Sequence, residues 1–156
     1  MLPFSIEKNS ELGRFAVANQ NLEPGEFLFE EIPFAVGPKV NSYCCCLECY
    51  YPVDGTASGS RCEKCAWPLC DDCLKMDELP VHSRECEVFR NAKCKFYNLS
   101  EADAISLQLD CITPLRVLLA MKANPQRWKD EVEPMEHHRN ERFGSKAWAA
   151  DAQNIV

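Results

Sequence analysis

Cys44-Cys45-Cys46-Leu47-Glu48-Cys49, Cys62-Glu63-Lys64-Cys65, Cys70-Asp71-Asp72-Cys73 and His82-Ser83-Arg84-Glu85-Cys86 form the stretch that decides how this chain folds. Nine of its eleven cysteines and one of its three histidines lie between residues 44 and 86. The spacing is Cys46-x2-Cys49, twelve residues, Cys62-x2-Cys65, four residues, Cys70-x2-Cys73, eight residues, then His82-x3-Cys86. A tight turn across two residues aims both thiolates at one tetrahedral centre, and His82 and Cys86, one helical turn apart, face the same way. Four such pairs complete two metal sites, with Cys46, Cys49, Cys62, Cys65, Cys70, Cys73, His82 and Cys86 as the expected ligands of two structural Zn2+ ions.

Spacing leaves open whether the pairs are used in succession or interleaved, and whether Cys45 substitutes for Cys46. A disulfide framework requires an oxidising compartment, and residues 1–10 lack a secretory apolar core. A redox Cys-x-x-Cys requires one exposed pair rather than four graded ones. Catalytic zinc keeps an open coordination position, which eight protein ligands do not leave. Structural zinc contributes roughly 10–16 kcal/mol to folding at neutral pH, more than the few kcal/mol that so small a core yields.

Outward from this window, the composition sets bounds. With 17 Lys and Arg against 24 Asp and Glu, the net charge is −7, which argues against a chain built to neutralise nucleic-acid phosphates. Inside the window Arg61, Lys64, Lys75 and Arg84 face eight acidic residues, so a DNA-reading finger is not expected and protein partners are. No apolar run has the length of a membrane span, and a nuclear or cytoplasmic location, where thiols stay reduced, is expected.

N-terminal to the window, Gly13–Ala18 and Phe27–Phe34 read as paired strands joined through a turn at Pro24-Gly25. C-terminal to it the pattern is helical. Ser100 with Asp103 reads as a capping box ahead of Ala102, Ile105 and Leu109. Thr113-Pro114 opens a helix burying Leu115, Leu118 and Leu119, and Asn124-Pro125 opens another carrying Trp128 and Val132, which Pro134 ends. A last helix near Ser145 carries Ala147, Trp148 and Ala149. Cys111 reads as a small buried hydrophobe, His137 and His138 as solvent-facing, and Trp67 as either a recognition residue or packing against the knuckles. The expected fold is a small zinc-stabilised α+β chain.

The order of these features, Gly13-Arg14, Glu23-Pro24-Gly25-Glu26, Glu31-Ile32-Pro33, the finger, then Cys111-Ile112-Thr113-Pro114-Leu115-Arg116, Trp128, Glu133-Pro134 and Trp148, resembles the SET-and-MYND (SMYD) family of protein lysine methyltransferases, in its arthropod SmydA and msta-like branch. The resemblance implies a split SET β-segment at 1–43, a MYND zinc finger with interleaved zincs at 44–86, and part of a helical SET insert at 87–156. It implies a protein-interaction module in transcription or chromatin regulation that takes proline-containing peptides of corepressors. It also implies that Gly13 and Arg14 belong to an S-adenosylmethionine turn, functional only with a complete SET domain. The family's Asn-His and tyrosine motifs are not found here. The chain alone is therefore expected to be inactive, with no catalytic residue of its own, while a full-length parent would act on histone or other lysine substrates.

Overall fold

The computed structural model describes residues 2–101, 104–135 and 137–154, and the chain divides into two compact units, Met1–Pro33 and Phe34–Val156. In the first, β1 (Phe4–Asn9) and β2 (Gly13–Ala18) form an antiparallel hairpin running in register from Phe4 opposite Ala18 to Asn9 opposite Gly13. Asn9 shapes the loop, its Oδ1 accepting from the backbone N–H groups of Glu11 (3.0 Å) and Leu12 (2.6 Å). Gly13 closes the loop at φ 67°, a backbone angle that side chains with a Cβ rarely adopt.

The expected turn at Pro24-Gly25 forms, with Glu26 N–H donating to Glu23 O at 3.0 Å and Gly25 at φ 85°. The strand expected after it does not. Residues 27–34 run without strand structure, and β2 pairs with the preceding segment instead. A three-residue loop closes at less entropic cost than the longer connection to Phe27, and Pro33 removes a ladder donor from the competing segment.

The second unit is built on two copies of one turn. In the first, Tyr50 N–H donates to Cys46 O (2.9 Å) and Cys46 N–H to Tyr51 O (2.8 Å); in the second, Ala66 N–H donates to Cys62 O (2.8 Å) and Cys62 N–H to Trp67 O (2.8 Å). Each needs a left-handed residue after its second cysteine, Tyr50 at φ 64° and Ala66 at φ 65°. A β-bridge flanks each turn, Cys45 with Pro52 and Arg61 with Pro68, and Leu47 N–H to Pro68 O (3.0 Å) ties the two together. Two helices follow: α1 (Asp71–Leu74), whose N-cap is Cys70, and α2 (Ser83–Ala92), whose N-cap is His82.

The core lies where these turns meet α2 and the C-terminal segment. Trp67, only 3 % exposed, stacks on Phe89 (centroids 4.0 Å apart) and meets Phe96 edge-on, while its Nε1–H donates to Cys94 O at 2.9 Å. Leu47, Leu69, Leu109 and Ile112 are wholly buried beside it.

A 3₁₀ helix (Leu107–Cys111) runs into α3 (Ile112–Ala123), so this helix begins ahead of the expected Thr113 cap. The Thr113 hydroxyl is used elsewhere, donating to Pro38 O at 3.1 Å. Helix α3 buries Ile112 and Arg116 one turn apart; Leu115 and Leu119 are half-buried and Leu118 is exposed. Cys111 is exposed rather than buried, since it lies on the outer side of the junction.

Asn124 caps α4 (Pro125–Arg127) by accepting from Arg127 N–H at 3.1 Å, and a π turn (Trp128–Val132) continues it until Pro134. Helices α5 (Arg139–Arg142) and α6 (Lys146–Asn154) follow, the latter capped by Ser145 Oγ accepting from Trp148 N–H at 3.2 Å. The proposed capping box at Ser100 depends on Asp103, which lies outside the described residues, and Ile105 forms a single bridge with Tyr43 rather than a helical turn. His137 and His138 are exposed. Among the described residues no helix is long and apolar enough to cross a membrane.

Candidate metal centre

Two clusters of four donor atoms lie in the second unit, each with all its donors within 4.8 Å of one another: Cys46, Cys49, Cys70 and Cys73, and Cys62, Cys65, His82 and Cys86. The four pairs are interleaved, first with third and second with fourth, and the first cluster uses Cys46 rather than Cys45. Zn–S bonds of about 2.3 Å in a tetrahedron place neighbouring sulfurs about 3.8 Å apart. Cys49 and Cys70 hold their sulfurs 3.7 Å apart and Cys62 and Cys86 3.8 Å, with Cys65 Sγ 3.4 Å from His82 Nε2. All eleven cysteines are free thiols. A disulfide would bring its sulfurs to about 2.05 Å, so the thiols are unbridged, and the clusters are compatible with two zinc ions.

Backbone and charge prepare the donors. The Cys73 N–H pulls the Cys70 thiol below its ordinary value. At Cys62 burial opposes ionisation but is outweighed by the N–H groups of Cys65 and Lys64 and by His82, bringing the thiol down to about 7. Their neighbours move the other way. Burial, with the crowding of Cys62 and Cys86, raises Cys65, and burial with the facing sulfurs of Cys70, Cys49 and Cys46 raises Cys73. Four thiolates, or three and an imidazole, do not ionise together without a cation, and a divalent ion supplies that charge.

The clusters differ in their surroundings. In the first, Cys49 is exposed and Cys70 half-buried; all four residues of the second are buried. His82 is held at both ends. Its backbone N–H donates to Glu48 Oε2 at 2.7 Å, and its Nδ1 lies 3.4 Å from Glu85 Oε1. A hydrogen bond from Nδ1 to Glu85 would leave the Nε2 lone pair facing Cys65 and available to an ion, the usual arrangement of a metal-binding histidine backed by a carboxylate. Arg116 completes the chain: its Nε–H donates to Glu85 Oε2 at 3.0 Å and its Nη2 to Glu85 Oε1.

Glu48, Glu85 and Arg116 escaped the reading of the sequence. Two signals for them were present. Glu85 stands three residues after His82 on the same helix, and Arg116 is the one charge in the apolar run from Ile112 to Ala120.

Gly13 and Arg14 open β2, where Arg14 pairs with Lys8, and both are exposed in the first unit. Trp67, a candidate recognition residue in the sequence, is core. A groove of ≈ 670 Å³ runs beside the second cluster, lined by Leu74, Leu79, Pro80 and the half-exposed Met76 together with charged residues such as Glu78, Glu87 and Arg90.

An interleaved pair of four-donor Cys/His clusters defines a small cysteine-rich module with the donor set of a two-zinc finger. In a 136-residue alignment that covers 80 % of the chain, it is similar at 26 % identity to "SET domain-containing protein SmydA-8, isoform A" of Drosophila melanogaster. It spans 29 % of that relative's length. No family model matches the chain, and no solved structure does.

Proposed function

We propose that the chain is the N-terminal portion of a SET-and-MYND protein, with residues 44–86 as a two-zinc MYND finger that binds extended, proline-containing peptides of regulatory partners such as corepressors. The observation that carries this reading is the interleaving of the pairs at tetrahedral distances, with Cys46, Cys49, Cys70 and Cys73 on one ion and Cys62, Cys65, His82 and Cys86 on the other. The similarity to a SET domain-containing protein supports the family. An acidic module carrying seven thiolates suits protein partners in the nucleus or cytoplasm better than nucleic acid. The groove beside the second cluster sets apolar Leu74, Leu79 and Pro80 among charged residues, and that apolar part supports a preformed, extended proline-rich segment, which binds at low entropic cost.

Fluorescence anisotropy with labelled proline-rich peptides tests it. Binding is expected to the zinc-loaded chain, to vanish on chelation, and to weaken on Met76→Glu with both ions retained. Binding that ignores both changes would reduce the finger to a scaffold.

A second reading rests on the SET domain named in the relative: a longer parent chain is an S-adenosylmethionine-dependent protein lysine methyltransferase, with Gly13 and Arg14 touching the methyl donor. Positioning a lysine amine in line with the donor methyl requires a closed channel, which a two-stranded hairpin does not provide. The 156-residue chain is expected to transfer no methyl group to histone peptides, and Arg14→Ala in an active parent to raise the KM for the donor.

A further inference from the structure

We propose that helix α3 is a latch on the second metal site: Arg116 holds Glu85 against His82, so that retention of that ion and docking of α3 on the finger form one coupled equilibrium. The proposal rests on the reading of the two clusters as zinc sites and adds a residue thirty positions beyond the finger to the determinants of one of them.

The geometry carries it. Glu85 is wholly buried and Arg116 is 7 % exposed. A buried carboxylate is held in place only by a partner of matching charge and hydrogen-bonding geometry. Arg116 supplies a two-point grip on Glu85 and directs its remaining N–H groups to Val36 O (3.0 Å), the Tyr50 hydroxyl and Leu47 O.

Leu47 lies between Cys46 and Cys49 in the first turn, and Tyr50 follows it. One guanidinium therefore joins α3 to the first turn directly and to the second cluster through Glu85 and His82. No other charge lies in the run from Ile112 to Ala120, so Arg116 is its one charged contact group, beside the Thr113 hydroxyl on Pro38 O. The first cluster contains no imidazole. Arg116 is a positioning residue for the second site, through Glu85 and His82, and it meets the first through the backbone carbonyl of Leu47, beside Cys46.

The test uses the full chain loaded with cobalt(II), whose absorption separates a four-sulfur site from one with three sulfurs and a nitrogen, and follows loss of each ion to a chelator. In Arg116→Met the three-sulfur, one-nitrogen ion is expected to leave at least about tenfold faster while the four-sulfur ion stays within about twofold of wild type, as loss of a carboxylate backing a metal-bound histidine implies. Lys122→Met, which removes an exposed cation from the same helix, is expected to change neither. Hydrogen exchange supplies an independent readout: removing the ion from the second site is expected to deprotect the amides of α3.

Should Arg116→Met not fold, the double variant Arg116→Met, Glu85→Gln leaves no buried charge unpaired and is expected to fold and still lose that ion faster. Wild-type loss rates in whichever variant folds, or α3 amides indifferent to the ion, would overturn the latch while leaving the zinc sites standing. A wild-type chain that takes up no cobalt would overturn both.

Discussion

Cys49 and Cys70 bring their sulfurs to 3.7 Å although twenty-one positions separate them, while the closer Cys62 and Cys65 belong to the other cluster. The relationship makes the two clusters interleaved, so that an ion held in each would clasp distant parts of the module. Substituting Cys49 or Cys73 by Ser is therefore expected to abolish the same cobalt signal, that of the four-sulfur site. Cys62→Ser and His82→Ala are expected to abolish the other. Absorption spectra in which Cys49 and Cys62 variants lose one and the same band would contradict the pairing.

Trp67 fills the space between the second turn and α2. Its removal takes away a stacked ring at 4.0 Å, an edge contact with Phe96 and a hydrogen bond to Cys94 O. Trp67→Ala is expected to cost about 3–5 kcal/mol, as large aromatic truncations in cores do, with both ions initially bound. Thermal unfolding of the zinc-loaded chain measures it; a loss below about 1 kcal/mol would place the ring outside the core.

Gly59 sits in the loop between the first two pairs, where Asp54 accepts from the Thr56 and Ser58 hydroxyls. A Cβ there would fall 1.8 Å from Asp54 O, a backbone atom that cannot swing away. Gly59→Ala is expected to destabilise by about 1–3 kcal/mol through overpacking, whereas Gly25→Ala, whose Cβ meets nothing within 4 Å, is expected to act only through its positive φ. Chemical denaturation of the two variants compares them.

Burial pushes the Cys44 and Cys45 thiols up to about 11 from an ordinary 9.0. Neither belongs to a metal cluster. Because the folded value lies above the unfolded one, the stability these thiols contribute is complete below pH 9 and is lost as the pH rises toward 11. Cys44→Ala is expected to flatten that alkaline decline, by about 3 kcal/mol at full ionisation, with little change at pH 7 beyond its packing cost. Unfolding free energies measured across the alkaline range check the slope, and an unchanged slope would refute the assignment.

The eight residues that the cysteine and histidine spacing singles out are the ones the structure gathers into two four-donor clusters compatible with zinc, because ligation imposes a local rule that spacing records. The cap signal at Asn124-Pro125 marked a real helix start for the same reason: a side chain three residues away completes the cap. What spacing did not disclose depends on distance along the chain. The Arg116–Glu85 contact spans thirty-one positions and the Thr113–Pro38 contact seventy-five, and no local pattern encodes either. Thr113 looked like a cap because its hydroxyl is of the right type, and tertiary structure used that hydroxyl elsewhere. The segment Phe27–Phe34 has strand composition yet no strand, because β1 reaches β2 through a shorter loop.

The two-ion finger is tested most directly by native mass spectrometry of the intact chain, expressed in zinc-supplemented medium and kept reduced. A single species heavier than the metal-free chain by two zinc ions is predicted, falling to one on Cys49→Ser and to one on Cys62→Ser. A chain carrying one ion or none, or one that loses both ions with either substitution, would contradict the paired and separate clusters described here.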